Sequence, residues 1–163
     1  MRVDFHGLYQ RHAQDVFRFA VYLSGCQSLA DEITQQTFAQ AWLSNGEIRE
    51  GTVRAYLIAI ARNLYRAELR RRKRTSAIHE AIPDPKPAAD SALESREELA
   101  RVFEALQSFP EADRAALLMH VQEGLPYETI AATLGVSVAA VKVKVHRTRA
   151  KLRLLLGNAG EQK

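Results

Sequence analysis

From Ser137 to Leu156 the chain carries Lys142, Lys144, Arg147, Arg149, Lys151 and Arg153 with no Asp or Glu, a local charge of +6, and His146 stands among them. From Thr52 to Arg74 it carries Arg54, Arg62, Arg66 and the unbroken run Arg70, Arg71, Arg72, Lys73 and Arg74 against one acid, Glu68, a local charge of +7. The segments around these are acidic, −2 over residues 1–51, −4 over 75–107 and −3 over 108–136, so the net charge of +4 hides two basic islands. Ammonium and guanidinium groups clustered in this way neutralise phosphates, and on a helix that fits the major groove they reach guanine edges. One basic run is as readily a solvated helix face. Two runs in different halves point instead to polyanion binding at two separated places.

Other chemistries find little support. His6, His12, His79, His120 and His146 form no HExxH and no His–Cys arrangement, so no metal site is expected. There is no Walker loop, dinucleotide fingerprint or GxSxG elbow, which leaves no expected cofactor and no catalytic constellation. Cys26 is the single cysteine, which excludes an internal disulfide and a CxxC site. The opening MRVDFHGLYQRH offers no uncharged apolar stretch suited to a signal peptide. No run approaches the roughly 18 apolar residues of a membrane span. The expectation is a cytoplasmic protein without stable membrane insertion.

The basic residues must be held by helices. Apolar residues make up 47% of the 163 positions, enough for packed cores. Phe5, Leu8, Tyr9, Val16, Phe19, Ala20 and Leu23 recur at three- and four-residue steps and predict one amphipathic helix, broken at Ser24-Gly25. Ser28 is the expected N-cap of a second helix carrying Ile33, Phe38, Ala41 and Trp42 and ending around Ser44 to Gly46. Phe38 and Trp42 are more readily core than contact. After a loop to Gly51, Thr52 caps a third helix with Val53, Tyr56, Leu57, Ile60, Leu64 and Leu69 inward and Arg54, Arg62, Arg66 and Arg70 exposed. Pro83, Pro85 and Pro87 then interrupt any helix, which predicts a flexible linker over residues 75–92.

Four helices are predicted beyond it. The first spans Ser91 to Gln107 with Leu93, Leu99, Val102, Phe103 and Leu106. The second has Pro110 in its first turn and runs to about Gln122 with Ala115, Leu118, Met119 and Val121, before Gly124. Pro126 opens a short helix with Ile130, Ala131 and Leu134 on its apolar face. Gly135 permits the tight turn, Val136 plugs the corner, and Ser137 caps a last helix whose inward stripe is Val138, Val141, Val145 and Leu152. The fold class is therefore all-α: two small helical domains, residues 1–74 and 93–158 with a tail at 159–163, the second containing a helix-turn-helix.

At this point the chain resembles the extracytoplasmic-function sigma factors of bacterial RNA polymerase, from about Phe5 to Leu156. Three stretches carry the resemblance: ADEITQQTFAQAW (Ala30 to Trp42), VRAYLIAIARNLYRAELRRRKR (Val53 to Arg74), and LQSFPEADRAALLMHVQEGLPYETIA leading into the helix-turn-helix. The resemblance implies that Asp31, Glu32, Gln35, Gln36 and Phe38 bind core polymerase. It implies that Arg54, Arg62, Asn63, Arg66, Arg70, Arg71, Arg72, Lys73 and Arg74 hold −10 promoter DNA, with the loop Ser44 to Gly51 at the melted strand. Ser137, Lys142, Lys144, His146 and Arg147 would face the −35 element, and an anti-sigma factor is the expected regulator. Some positions depart from the family pattern. Ala67 stands where an aspartate is often found, Val143 where a small polar residue is common, and Lys142 and Lys144 where arginine is frequent. Lysine lacks the bidentate fork of arginine, which bears on base specificity.

Two rival readings remain open at the sequence level. A free-standing repressor or activator would bind duplex alone through dimer symmetry. A protein-interaction module that titrates an anti-sigma partner would have no need of the basic islands.

Overall fold

Helix-forming stretches punctuated by Gly, Ser and Pro produce seven α-helices in the computed structural model, which describes residues 4–44, 52–75 and 93–160. In chain order they are α1 (Phe5–Ser24), α2 (Gln27–Leu43), α3 (Val53–Arg74), α4 (Leu93–Gln107), α5 (Glu111–Val121), α6 (Tyr127–Leu134) and α7 (Val138–Gly160). The chain divides at Pro83/Asp84 into two units. The segment read as a flexible linker and the loop from Asn45 to Gly51 lie outside the described residues, apart from Thr75.

In the first unit α1, α2 and α3 pack mutually. Gly25 ends α1 in the left-handed region (φ 69°), where a side chain would be strained, and its N–H donates to Val21 O. The chain turns at once into α2, whose N-cap is Cys26; Ser28, the expected cap, already lies in the first turn. The core is built from Leu8, Val16, Phe19, Leu23, Ile33, Phe38, Leu57 and Ile58, all nearly inaccessible. Thr34 and Thr37, also buried, bond their hydroxyls to Ala30 O and Ile33 O, so their polar atoms cost little inside the packing.

The buried face of α3 is Val53, Leu57, Ile58, Ala61, Arg62 and Tyr65. It is rotated from the expected stripe: Tyr56, Ile60 and Leu64 are only half-buried. Arg62, expected on the exposed side, is 4% accessible. Two apolar expectations also shift. Tyr9 is 44% exposed at the margin of α1, and Trp42, expected in the core, is 61% exposed.

In the second unit α7 is the central element, packed on α4, α5 and α6. Phe103, Leu106, Phe109, Leu117, Met119, Ile130, Val141 and Val145 fill the core. The sharp connection between α4 and α5 is held by buried Arg114, which donates from Nη1 to Phe109 O at 2.8 Å. Pro110 occupies the N-cap of α5, just before the first turn expected for it. Val121 is 56% exposed instead of inward, and α7 continues to Gly160, into the segment read as a tail.

Candidate nucleic-acid interface

The connection from α6 to α7 begins at Gly135, which takes φ 69° and donates its N–H to Ala131 O. This left-handed residue reverses the chain within one step, which is what two crossing helices in a helix-turn-helix require. Ala131 and Ile130 are buried on the α6 side of the crossing. Val136 does not plug the corner as expected, being 36% exposed. Ser137 does cap: its Oγ accepts from the Ala140 N–H at 3.1 Å. This satisfies one of the donors left orphaned at a helix start.

Val141, Val145 and Thr148 form the fully buried stripe of α7. With that stripe fixed, helical geometry assigns the other faces. Lys142, Val143 and His146 lie exposed on the outer side. Lys142 also sits 5.7 Å above the Tyr127 ring, which stacks on His120 with ring centroids 4.6 Å apart. Such a cation–π contact guides the ammonium without neutralising it.

Lys144 and Arg147 lie on a flank that turns toward α5. Lys144 Nζ donates to Asp113 Oδ1 at 3.0 Å and Arg147 Nη2 to Asp113 Oδ2 at 3.1 Å. The Asp113 side chain is 7% exposed, that of Lys144 24% and that of Arg147 51%. The sequence reading missed Asp113 because its partners are more than thirty positions away. Its one local signal was an acid opening a helix that leads into a basic recognition segment.

The other basic island lines α3. Asn63, Arg66, Arg70, Arg71, Lys73 and Arg74 are exposed and Arg72 partly so. Arg71 and Arg72 both donate to Glu68, and these bonds, the one from Arg71 foremost, hold the Glu68 carboxyl below its ordinary range. Arg54 pairs with Asp15 at 3.1 Å. Burial, and then the Arg54 guanidinium, holds the His12 imidazole below its ordinary value. Arg62, expected on the exposed side among the DNA-holding residues, is instead buried in the face that α3 turns to the other helices.

On α2 the exposed strip is Asp31, Glu32, Gln35 and Gln36, continuing through Ala39 and Gln40 to Trp42 and Leu43. Phe38 is not in it. At 2% exposure it packs edge-on to Tyr9 (centroids 4.9 Å apart) and Phe5 (6.4 Å), so its place is in the core and not on the expected contact surface. Trp42 stands outside, one edge against Phe5 at 4.8 Å.

Among the described residues no group of three or more His, Cys, Asp or Glu is placed to hold a metal ion. Among them, too, no single helix is long and apolar enough to cross a membrane.

Residues 8–75 match Sigma-70 region 2 and residues 99–152 match Sigma-70, region 4. The chain is 33% identical over 143 residues to the ECF RNA polymerase sigma factor EcfG of Rhodopseudomonas palustris, covering 85% of this chain and 77% of that one. It is 32% identical over 155 residues to the RNA polymerase sigma factor CarQ of Myxococcus xanthus, covering 94% and 89%. Identity to the ECF RNA polymerase sigma factor SigE of Mycolicibacterium smegmatis is 39% over 153 residues, and the chain spans 59% of that protein's length. Among solved structures it resembles the sigma factor RpoE in complex with the anti-sigma factor NepR from Bartonella quintana. The TM-score is 0.80 at 25% identity, over 94% of this chain and 97% of that one. CnrH in complex with the cytosolic domain of CnrY gives a TM-score of 0.71 at 27% identity, over 94% and 88%.

A helical unit of the region 2 kind followed by a region 4 helix-turn-helix defines a sigma-70-type protein. The chain belongs to the extracytoplasmic-function family of RNA polymerase sigma factors, whose members are specificity subunits and not enzymes.

Proposed function

We propose that this chain docks on core RNA polymerase through the α2 strip Asp31, Glu32, Gln35 and Gln36, and directs initiation at promoters with −10 and −35 elements. The exposed cations of α3 (Arg66, Arg70, Lys73 and Arg74, with Asn63) grip −10 DNA, mainly through phosphates. The outer face of α7 (Lys142, His146 and the exposed part of Arg147) reads the −35 groove. Binding occurs in the cytoplasm, where an anti-sigma factor withholds the chain from the polymerase; the likeness to RpoE, solved in complex with the anti-sigma factor NepR, supports this reading.

The observation that carries this reading is the separation of surfaces by chemistry. The basic faces lie on α3 and α7, while α2 exposes acids and amides unsuited to DNA. A free-standing repressor has no use for such an α2 strip. Run-off transcription with purified core polymerase on genomic fragments tests the proposal. Discrete transcripts that require this chain are the expected result; specific duplex binding without core, and no transcripts, would favour a free-standing regulator.

A further inference from the structure

Asp113 lies in the first turn of α5, where the positive end of the helix favours a carboxylate. Both of its oxygens are engaged by side chains of α7, one by Lys144 and the other by Arg147. The two cations are not affected alike. Lys144 is drawn three-quarters into the structure, and its ammonium is spent on the acid. Arg147 gives one amino group and keeps half of its surface in solvent. A guanidinium has five N–H donors in a rigid plane, so fixing one end aims the others.

Resting on the −35 reading above, we propose that Asp113 is a positioning residue for sequence readout. It orients Arg147 toward the groove and removes Lys144 from the general attraction for phosphate. The consequence runs in opposite directions for two quantities. Losing the carboxylate frees one cation and loosens another, so attraction to any DNA rises. The aim of Arg147 is lost, so discrimination between sequences falls.

The experiment uses the full chain bound to core polymerase and a promoter library randomised across the upstream element, selected at one fixed salt concentration. Asp113→Asn is expected to retain the unselected pool about threefold better than the unaltered protein. It should enrich the preferred sequences about tenfold less. Glu104→Gln, which removes an exposed acid from α4, controls for the charge change and is expected to leave enrichment as it was. Arg147→Ala should reduce enrichment about as far as Asp113→Asn, and combining the two should reduce it no further, because one acts through the other. A merely structural role would make the losses add and lower retention of every sequence alike, which overturns the proposal. If Asp113→Asn unfolds the second unit, Asp113→Glu takes its place in the same cycle and is held to the same non-additivity. Failure of the unaltered protein to enrich any sequence would instead sink the −35 reading, and this inference with it.

Discussion

Arg62 and Arg66 are one helical turn apart on α3, yet their surroundings differ sharply. Arg62 is 4% accessible while Arg66 is exposed. Removing a buried charged donor leaves its surroundings unsatisfied, at a cost of about 1–3 kcal/mol. Arg62→Ala should therefore lower the melting temperature of the first unit, read by circular dichroism. Arg66→Ala should leave the melt unchanged and weaken holoenzyme binding to promoter DNA, reducing the salt slope by about one phosphate contact. An unchanged melt for Arg62→Ala would return it to the surface set. His12 makes a second prediction at this scale. Its folded pKa lies below the ordinary 6.5, so the unfolded chain takes up the proton more readily. Its contribution to stability is complete above about 6.5 and is lost as pH falls through the lower folded value. Urea melts between pH 7.5 and 5 should show this decline, and His12→Gln should flatten it. Neither assignment was legible in the sequence. The charge and spacing of Arg62 match those of Arg54 and Arg66, and only the packing of α3 against two other helices separates them.

Elements were easier to read than faces. The breaks at Gly25, Gly124 and Gly135 and the cap at Ser137 are backbone chemistry, written locally in residue type, and they fall where the spacing put them. The rotation of α3 was not local. Tyr56, Ile60 and Leu64 made a plausible stripe, but α3 meets both α1 and α2, and it turns Ile58, Ala61, Arg62 and Tyr65 inward instead. Phe38 and Trp42 show the same limit, since both are aromatic on one helix and only tertiary packing decides which is inside. At this scale the prediction concerns Ser137. Its side chain accepts from the Ala140 N–H at the start of α7 and is exposed. Ser137→Ala should destabilise the second unit by about 1 kcal/mol, and Ser137→Asp, which preserves an acceptor at the cap, should restore it. Thermal melts that do not separate the two variants would mean the cap is not needed to start α7.

At the scale of the whole molecule, cationic surface is concentrated on α3 and α7, while α2 exposes acids and amides and α4 exposes acids. The charge profile made the two basic faces visible in the sequence. What it could not supply was the aromatic end of the α2 strip. Trp42 is the only tryptophan in the chain and is 61% exposed beside Leu43 at 74%. An indole in water emits at long wavelength and shifts to shorter wavelength when a partner excludes solvent from it. The protein thus carries a built-in optical reporter at the edge of its proposed docking surface. Titration with core polymerase, corrected with Trp42→Phe for the emission of the polymerase itself, should show a blue shift that saturates at one chain per core. Gln35→Ala combined with Gln36→Ala should abolish that saturation while the melt of the first unit stays intact. A shift that survives in this double variant would move the docking surface off the polar strip and onto the ring.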